Sequence, residues 1–168
     1  MLLIEIDKKR YRQRLNMVIV ACISFLVVSS LVISQTLIYF FPAQQGSHFH
    51  WNLLGVVSSA LIVVAVLIRN KKHAFLHEVF YVWQLKQALN LITRKMLKLQ
   101  KAAKMGDKNA MLAMQFSYTG SRKLWLLDDN TLTLDNLDEA QLALTALLLK
   151  YNFTVDITQY NSALLKSF

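Results

Sequence analysis

The sequence predicts an all-α membrane protein, in which an N-terminal two-helix transmembrane hairpin precedes a small helical domain. Three observations support this fold class. Hydrophobic residues make up 55% of the 168 residues, no Asp, Glu, Lys or Arg lies between Arg14 and Arg69, and the formal charge of +9 is carried outside that stretch. Such a composition is too apolar for a disordered chain. A single cysteine, Cys22, also excludes an intrachain disulfide framework.

The uncharged stretch divides into two apolar runs, which are separated by a turn that contains Pro42 and Gly46. Each run is long enough to cross a hydrocarbon layer of about 30 Å as a helix of about 20 residues. We therefore predict a basic N-terminus over residues 1–14, a hairpin over 15–68 and a helical domain over 69–168. Within the hairpin, the spans are placed at about 15–41 and 49–68, and the loop at 42–48.

The orientation follows from the basic residues, which flank the two outer ends of the hairpin and are absent from its loop. This asymmetry predicts a multi-pass membrane protein with both termini in the cytoplasm. The predicted interface anchors are Arg12, Arg14, Trp51, Arg69, Lys71 and Lys72. The alternative is a cleaved signal peptide, which is disfavoured because the apolar run is long and no Ala-x-Ala site follows it.

Small residues recur at helical spacing in both spans, as Ser30 and Ser34 in the first and Gly55 and Ser59 in the second. Pairs of this kind allow membrane helices to approach closely. They predict packing of the hairpin on itself or, as the alternative, docking onto another membrane protein. Neither span contains an Asp, Glu, Lys or Arg, which argues against a transporter or pump that acts alone.

No glycine or proline occurs between Gly55 and Gly106, so the second span is expected to continue as one helix of roughly 50 residues, with Asn70 as its weak point. The outer part of this helix carries an apolar heptad seam, which is typical of a coiled coil or of core packing. We interpret it as an interaction seam that needs a partner surface, either within the chain or in a second one. The seam consists of Val82, Leu85, Leu89, Ile92, Met96, Leu99 and Ala103.

A basic face lies opposite the seam and consists of Arg94, Lys98 and Lys101, with Lys86 and Lys104 beside it. Anionic lipid, nucleic acid and the chain's own acidic segment are the competing partners. Nucleic acid is not expected, because the stripe lacks interleaved aromatic residues. A bend near Asn70 would allow the seam to lie in the membrane interface, with Lys86 and Lys104 at its margins. A straight helix would instead carry the stripe far beyond the reach of the lipid surface. We therefore expect partial neutralisation by acidic residues from the set Asp128, Asp129, Asp135, Asp138 and Glu139.

Further helices are predicted beyond Gly106, which suits the C′ position of the long helix and is followed by Asp107 at the start of the next helix. That helix should end near Leu127. Asp135 or Asn136 is expected to cap a third helix that reaches Lys150, and a short helix is expected over 156–166. The leucines of the third helix surround much of its circumference, which predicts burial; they are Leu142, Leu144, Leu147, Leu148 and Leu149.

Motifs that carry chemistry are absent from the sequence. His77 and Glu78 begin a zinc-protease pattern, but Tyr81 occupies the position of the second histidine. His73 and His77 could share a metal, as could His48 and His50, yet neither pair has a third ligand in a fixed pattern. Interface roles are favoured for these histidines. We expect no cofactor, no metal and no small-molecule substrate.

The sequence resembles a small family of gammaproteobacterial inner-membrane proteins that is known only as a domain of unknown function. The resemblance covers most of the chain. It is carried by residues 49–55 (FHWNLLG), by residues 78–86 (EVFYVWQLK), and by Gly106, Asp107, Ala110, Met111, Phe116, Tyr118 and Gly120. It implies location and architecture, and it carries over no functional residue.

Two functional hypotheses follow from these features. The leading one is a non-enzymatic inner-membrane protein with a cytoplasmic helical domain for protein interaction or self-association. The partners would be the lipid bilayer together with a second copy or another membrane protein. The alternative is an accessory or regulatory subunit of a larger membrane enzyme or transporter, in which the partner supplies the chemistry.

Overall fold

The computed structural model describes residues 2–42, 47–130 and 134–168, and in these ranges all regular secondary structure is helical. Six α-helices lie within these ranges. They are α1 (Lys8–Phe40), α2 (Phe49–Arg69), α3 (His77–Thr93), α4 (Met96–Lys104), α5 (Lys108–Leu127) and α6 (Leu134–Lys150). Two short 3₁₀ turns, Ile157–Gln159 and Ser162–Ser167, end the chain.

The chain forms two compact units. The hairpin unit is Asp7–Phe80, and the helical unit is Met1–Ile6 together with Tyr81–Phe168. The first turn of α3 therefore belongs to the hairpin unit, and the rest of that helix belongs to the helical unit.

Helices α1 and α2 are long and apolar enough to cross a membrane, with mean hydropathies of 2.7 and 2.4 over their most apolar windows. Only 11% of each window is buried, which is unlike the core helix of a soluble protein. Asp7 caps α1 by accepting a hydrogen bond from the Arg10 amide at 2.8 Å, so the helix begins before the predicted span. Most of the predicted loop, including Gly46, lies outside the described residues.

Close backbone contact holds α1 against α2. Ser30, Ser34, Gly55 and Ser59 are all buried. A Cβ atom on Gly55 would overlap the Ser34 Oγ and would lie 2.8 Å from the Ser30 carbonyl oxygen. The predicted small residues are therefore used in packing the hairpin on itself.

The prediction of one continuous helix beyond the second span is wrong. Helix α2 ends at Arg69, and the Asn70 side chain turns back to donate to the Val66 carbonyl oxygen at 2.8 Å. Residues 70–76 form turns that leave Phe75 half-buried and Leu76 buried. Local hydrogen bonding by the asparagine competes with helix continuation, and burial of these two apolar side chains favours the break.

A second break separates α3 from α4. The Thr93 hydroxyl donates to the Leu89 carbonyl oxygen at 2.9 Å, and the Lys95 amide bonds to the Ile92 carbonyl oxygen in a 3₁₀ arrangement. The predicted 50-residue helix is therefore three helices, and the heptad seam is divided between α3 and α4.

The junction of α4 with α5 confirms the predicted end and start signals. Gly106 has a φ of +89°, and its amide bonds to the Ala103 carbonyl oxygen. The Asp107 amide reaches the Ala102 carbonyl oxygen at 3.0 Å, which completes a Schellman motif. The Asp107 carboxylate then accepts from the amides of Asn109 and Ala110, so it caps α5.

Helix α5 is the centre of the helical unit, because α4, α6 and both 3₁₀ turns pack against it. The Phe116 ring stacks on the Tyr160 ring with centroids 4.1 Å apart. Two predictions in this region are wrong. Residues 156–166 form 3₁₀ turns rather than an α-helix, and α6 already includes Asp135 and Asn136, which were expected as caps. The residues that precede α6, 131–133, lie outside the described ranges.

The Gly55 contact gives a direct test of the hairpin. We expect Gly55→Leu to reduce the free energy of unfolding by about 1–3 kcal/mol, because the added side chain must separate the two backbones. Thermal unfolding of the full chain in a mild detergent measures this change. Val57→Leu is the matched control, since Val57 is 48% exposed on the same helix. Equal stability of the two variants would contradict the close contact.

Candidate functional site

The predicted interaction seam is part of the core of the helical unit. Val82, Leu85, Ile92, Leu99 and Ala103 are at most 1% exposed, Leu89 is 5% exposed and Met96 is half-buried. A Cβ atom on Gly120 of α5 would lie 3.0 Å from Leu89 Cδ2 and 3.4 Å from Leu85 Cδ1. The partner surface that the seam needs is thus supplied by the chain's own helix α5. The sequence identified the buried face, but these residues do not present an interface to a second chain.

The predicted basic face is exposed at Arg94, Lys98 and Lys101. Lys98 Nζ donates to the Phe168 carbonyl oxygen at 2.5 Å, and the neighbouring Lys95 Nζ donates to the Leu165 carbonyl oxygen at the same distance. These two lysines therefore bind carbonyl groups at the end of the chain, where a 3₁₀ turn leaves acceptors without helical partners.

Of the acidic residues that were expected to neutralise this face, Asp128 pairs at its margin and Asp138 pairs elsewhere. Asp128 lies 2.9 Å from Lys86 Nζ, and Asp138 pairs with Arg122 of α5. Lys86 had been placed beside the basic face, so the expected neutralisation reaches the margin of the stripe at Asp128.

Helix α6 exposes leucines that the sequence predicts to be buried. Leu144 is 1% exposed, but Leu142 is 70% exposed and Leu149 is 77% exposed. Leu97 of α4 and Met105, which directly follows that helix, are equally prominent, with exposures of 76% and 79%. The prediction of burial all round α6 is therefore wrong, because only the face toward α5 is covered.

The C-terminal ends of α4 and α6 meet at Tyr151. Its hydroxyl donates to the Lys104 carbonyl oxygen at 2.7 Å, and a Cβ atom on Gly106 would lie 2.8 Å from Tyr151 Cε1. The Tyr151 and Phe153 rings stack with centroids 6.2 Å apart. Met105 directly precedes Gly106, and Leu149 is two residues before Tyr151; both side chains are exposed.

Lysines surround this junction. Lys108 Nζ lies 6.0 Å from the centre of the Phe153 ring, and Lys150 Nζ lies 5.3 Å from that of Tyr151. Lys104, whose carbonyl group binds Tyr151, is also exposed. We call this region the α4–α6 edge and define it as Lys104, Met105, Lys108, Leu149, Lys150, Tyr151 and Phe153. Sequence reasoning missed it, because the residues come from separate segments.

In the hairpin unit, a buried carboxylate binds two arginines. Glu78 has a side chain that is 7% exposed, and its Oε1 accepts from Arg10 Nε at 2.6 Å. Arg14 Nη1 donates to the Ala74 carbonyl oxygen at 3.0 Å and lies 3.5 Å from Glu78 Oε2. The sequence contains a signal for this site, since Glu78 is the only acidic residue between Asp7 and Asp107.

The predicted interface anchors lie at both ends of the hairpin. The Trp51 ring stacks on Phe41 with centroids 5.4 Å apart, which joins the end of α1 to the start of α2. The basic anchors Arg12, Arg69, Lys71 and Lys72 are exposed, whereas Arg14 is half-buried with its guanidinium 5.5 Å from the centre of the Phe75 ring.

Two of the candidate metal-binding histidines, His73 and His77, lie at or next to the turns that follow α2. His73 Nδ1 accepts a hydrogen bond from the Phe75 amide at 3.2 Å, and His77 lines a pocket with Arg10, Arg14 and Lys72. Across residues 2–42, 47–130 and 134–168, no group of three His, Cys, Asp or Glu side chains is arranged to hold a metal ion.

Three tyrosines of the helical unit are partly buried phenols. Burial raises the pKa of Tyr81, Tyr118 and Tyr160 above the usual value near 10. For Tyr81, a hydrogen bond from the Ile4 amide opposes part of this increase in pKa. The Tyr81 hydroxyl remains protonated at neutral pH and donates to the Leu2 carbonyl oxygen at 3.1 Å, which attaches the N-terminal segment to α3.

Comparison with known proteins places the chain in one family. Residues 1–165 match the family described as a protein of unknown function, DUF3087, and the chain belongs to that family. No curated protein and no solved structure matches the sequence significantly.

The ion pairs of Glu78 can be tested by one substitution. We expect Glu78→Gln to lower the free energy of unfolding by about 1–3 kcal/mol, because it removes a buried charge that balances two arginines. Asp138→Asn is the control, since both partners of that ion pair are exposed and its loss should cost about 0.5 kcal/mol or less. Urea unfolding in detergent compares them. A loss in Glu78→Gln no greater than that in Asp138→Asn would contradict the stabilising role of the Glu78 ion pairs.

Proposed function

For this member of the DUF3087 family, we propose a non-enzymatic role as a two-span protein of a gammaproteobacterial inner membrane, with both termini in the cytoplasm and a helical unit that binds another protein. The membrane assignment is supported by helices that are apolar yet mostly exposed within the chain. In water such surfaces would be unfavourable, whereas in lipid they are solvated.

The orientation is supported by the distribution of basic residues. Arg10, Arg12 and Arg14 precede the first span, and Arg69, Lys71 and Lys72 follow the second, while residues 42–48 contain no Lys or Arg. Segments that flank transmembrane helices and are rich in Lys and Arg are typically found on the cytoplasmic side of the membrane.

The α4–α6 edge is the observation that supports protein binding. Most surface leucines occur singly and need no explanation, but Met105 and Leu149 are both more than three-quarters exposed, and their chain neighbours Gly106 and Lys150 lie against the Tyr151 ring. Aromatic residues and methionine are enriched at the centres of interfaces, and a polar rim is typical around them. The edge has this arrangement, with lysines as its rim.

The chemistry of the edge favours a partner that combines apolar and acidic side chains. Lys104, Lys108 and Lys150 give the rim a positive charge, while Asp107, the nearest acidic residue along the chain, has its carboxylate engaged in the cap of α5. An amphipathic helix that carries acidic residues beside its apolar face would complement both features.

The binding surface can be tested by charge insertion in the full-length protein. We expect Met105→Asp and Leu149→Asp to abolish stoichiometric co-purification of the partner from mild detergent, while stability changes little because both sites are exposed. Leu126→Asp is the matched control. Leu126 is 49% exposed and lies about 27 Å along α5 from Lys108.

The outcomes of this test are distinct. Loss of the same co-purifying protein in both variants but not in the control supports the proposal. If that partner is a second copy of this protein, its mass identifies it. If the chain that is lost is a membrane enzyme or transporter, the accessory-subunit alternative is correct. Retention of every stoichiometric partner in both variants would show that the edge is not the binding surface.

The topology is tested separately with reporter fusions. A fluorescent protein fused after Phe168 should fluoresce, and an alkaline phosphatase in the same position should be inactive, because it would remain in the reducing cytoplasm. A phosphatase placed in the loop at residue 47 should be active. An active phosphatase after Phe168 would contradict the proposed orientation.

A further inference from the structure

An apolar cavity of about 460 Å³ opens in the hairpin unit at the end that carries the basic residues. Helix α1 lines it between Met17 and Phe25, α2 lines it between Val63 and Leu67, and Phe75 and Leu76 complete the lining. Its volume is within the usual range for small-molecule sites. The break after α2 creates this cavity, because it turns residues 75 and 76 back toward the hairpin.

A polar pocket lies beside the cavity in the same unit. Arg10, Arg14, Lys72, Ala74, His77 and Glu78 line it. The two sites adjoin at one contact, in which the Arg14 guanidinium lies 5.5 Å from the centre of the Phe75 ring. Arg14 lines the polar pocket and Phe75 lines the apolar cavity, so a molecule with a polar head and an apolar tail could occupy both.

The charge of the polar pocket favours an anion. Three permanent cations, Arg10, Arg14 and Lys72, line it together with a single carboxylate. That carboxylate is engaged by Arg10 through two contacts, whereas Arg14 is 3.5 Å from it. A surplus of positive charge therefore remains on Arg14 and Lys72, and an additional anion would be stabilised there.

We propose that this composite site binds one anionic phospholipid, with an acyl chain in the apolar cavity and the phosphate group on Arg14 and Lys72. This inference rests on the proposed insertion of the hairpin. In that arrangement Arg14 and Lys72 are at the headgroup level, and residues 17–25 and 63–67 are at the level of the acyl chains. Basic pockets between helices on the cytoplasmic side are suited to acidic headgroups.

The apolar cavity allows the binding of a lipid to be distinguished from the binding of a free phosphate ion. A phosphate would need only the polar pocket, and the apolar cavity would contribute nothing to its binding. A phospholipid gains from both parts, so changes in either part should weaken its binding. The two parts can be altered independently. The residues that line the apolar cavity are uncharged, so a substitution there leaves the charge of the polar pocket unchanged.

The experiment uses the full-length protein in a zwitterionic detergent and measures its affinity for added dioleoyl phosphatidylglycerol by native mass spectrometry and by the rise in unfolding temperature. We expect a clear preference over dioleoyl phosphatidylcholine. Lys72→Gln should weaken binding about fivefold, and Arg14→Gln/Lys72→Gln about thirtyfold. Each of the two cations contributes a similar free energy to the binding of an anionic lipid, so their effects on affinity multiply.

The cavity is tested by filling it. Ala21→Phe places a ring in the cavity and should weaken phosphatidylglycerol binding about as strongly as the double variant. Two controls match these changes. Lys71→Gln removes a neighbouring exposed charge that does not line the pocket, and Val20→Phe adds the same ring at a position that is 63% exposed.

The proposal is overturned if phosphatidylglycerol and phosphatidylcholine bind equally, or if Lys71→Gln has the effect of Lys72→Gln. It is also overturned if inorganic phosphate raises the unfolding temperature as much as the lipid and Ala21→Phe has no effect. Arg14 packs on Phe75, so Lys72→Gln alone decides the polar part if the double variant does not fold. Extraction with sodium carbonate tests membrane insertion separately, so failure of lipid selectivity leaves the proposed function intact.

Discussion

The binding of Glu78 by Arg10 and Arg14 determines the shape of the hairpin unit. Glu78 lies in the first turn of α3, only nine residues beyond the end of α2, whereas both arginines belong to the first two turns of α1. A straight continuation of α2 would carry the carboxylate about 14 Å beyond the hairpin. The chain must therefore turn between Arg69 and His77 for this buried charge to have its partners, and the positions of Phe75 and Leu76 follow from that turn.

Local signals predicted those parts of the structure that depend on local chemistry. The apolar runs gave the two long helices, Gly106 and Asp107 gave the junction of α4 with α5, and the small residues of α1 and α2 gave the contact of the hairpin with itself. In each case the physical cause lies within a few residues or in a constraint on backbone approach. The absence of glycine and proline over residues 56–105 did not ensure a continuous helix, because Asn70 and Thr93 provide alternative hydrogen bonds.

Structural features that depend on contacts between residues far apart in the sequence could not be predicted from local signals. The heptad spacing correctly identified a buried face, yet spacing alone does not show whether a second chain or the same chain covers it. Gly120 resolves this point, because its missing side chain lets α5 approach Leu85 and Leu89. Burial of Leu142 and Leu149 was expected from their hydrophobicity, but helix α6 lies at the surface of the helical unit and has α5 on one side. The α4–α6 edge combines residues up to 49 positions apart, and no sequence pattern brings them together.

The exposed faces of α1 and α2 and the α4–α6 edge are suited to different surroundings. The exposed side chains of α1 and α2 form continuous apolar helix faces, for which lipid is a suitable solvent. Those of the α4–α6 edge are interspersed with lysines, and the ammonium groups of Lys108 and Lys150 lie near aromatic rings. Cationic groups of this kind keep an apolar surface soluble while it is unoccupied, and they restrict its partners to those with complementary charge. An uncharged apolar edge would bind many partners without discrimination, so the lysines are as important to the proposed role as the exposed Met105 and Leu149.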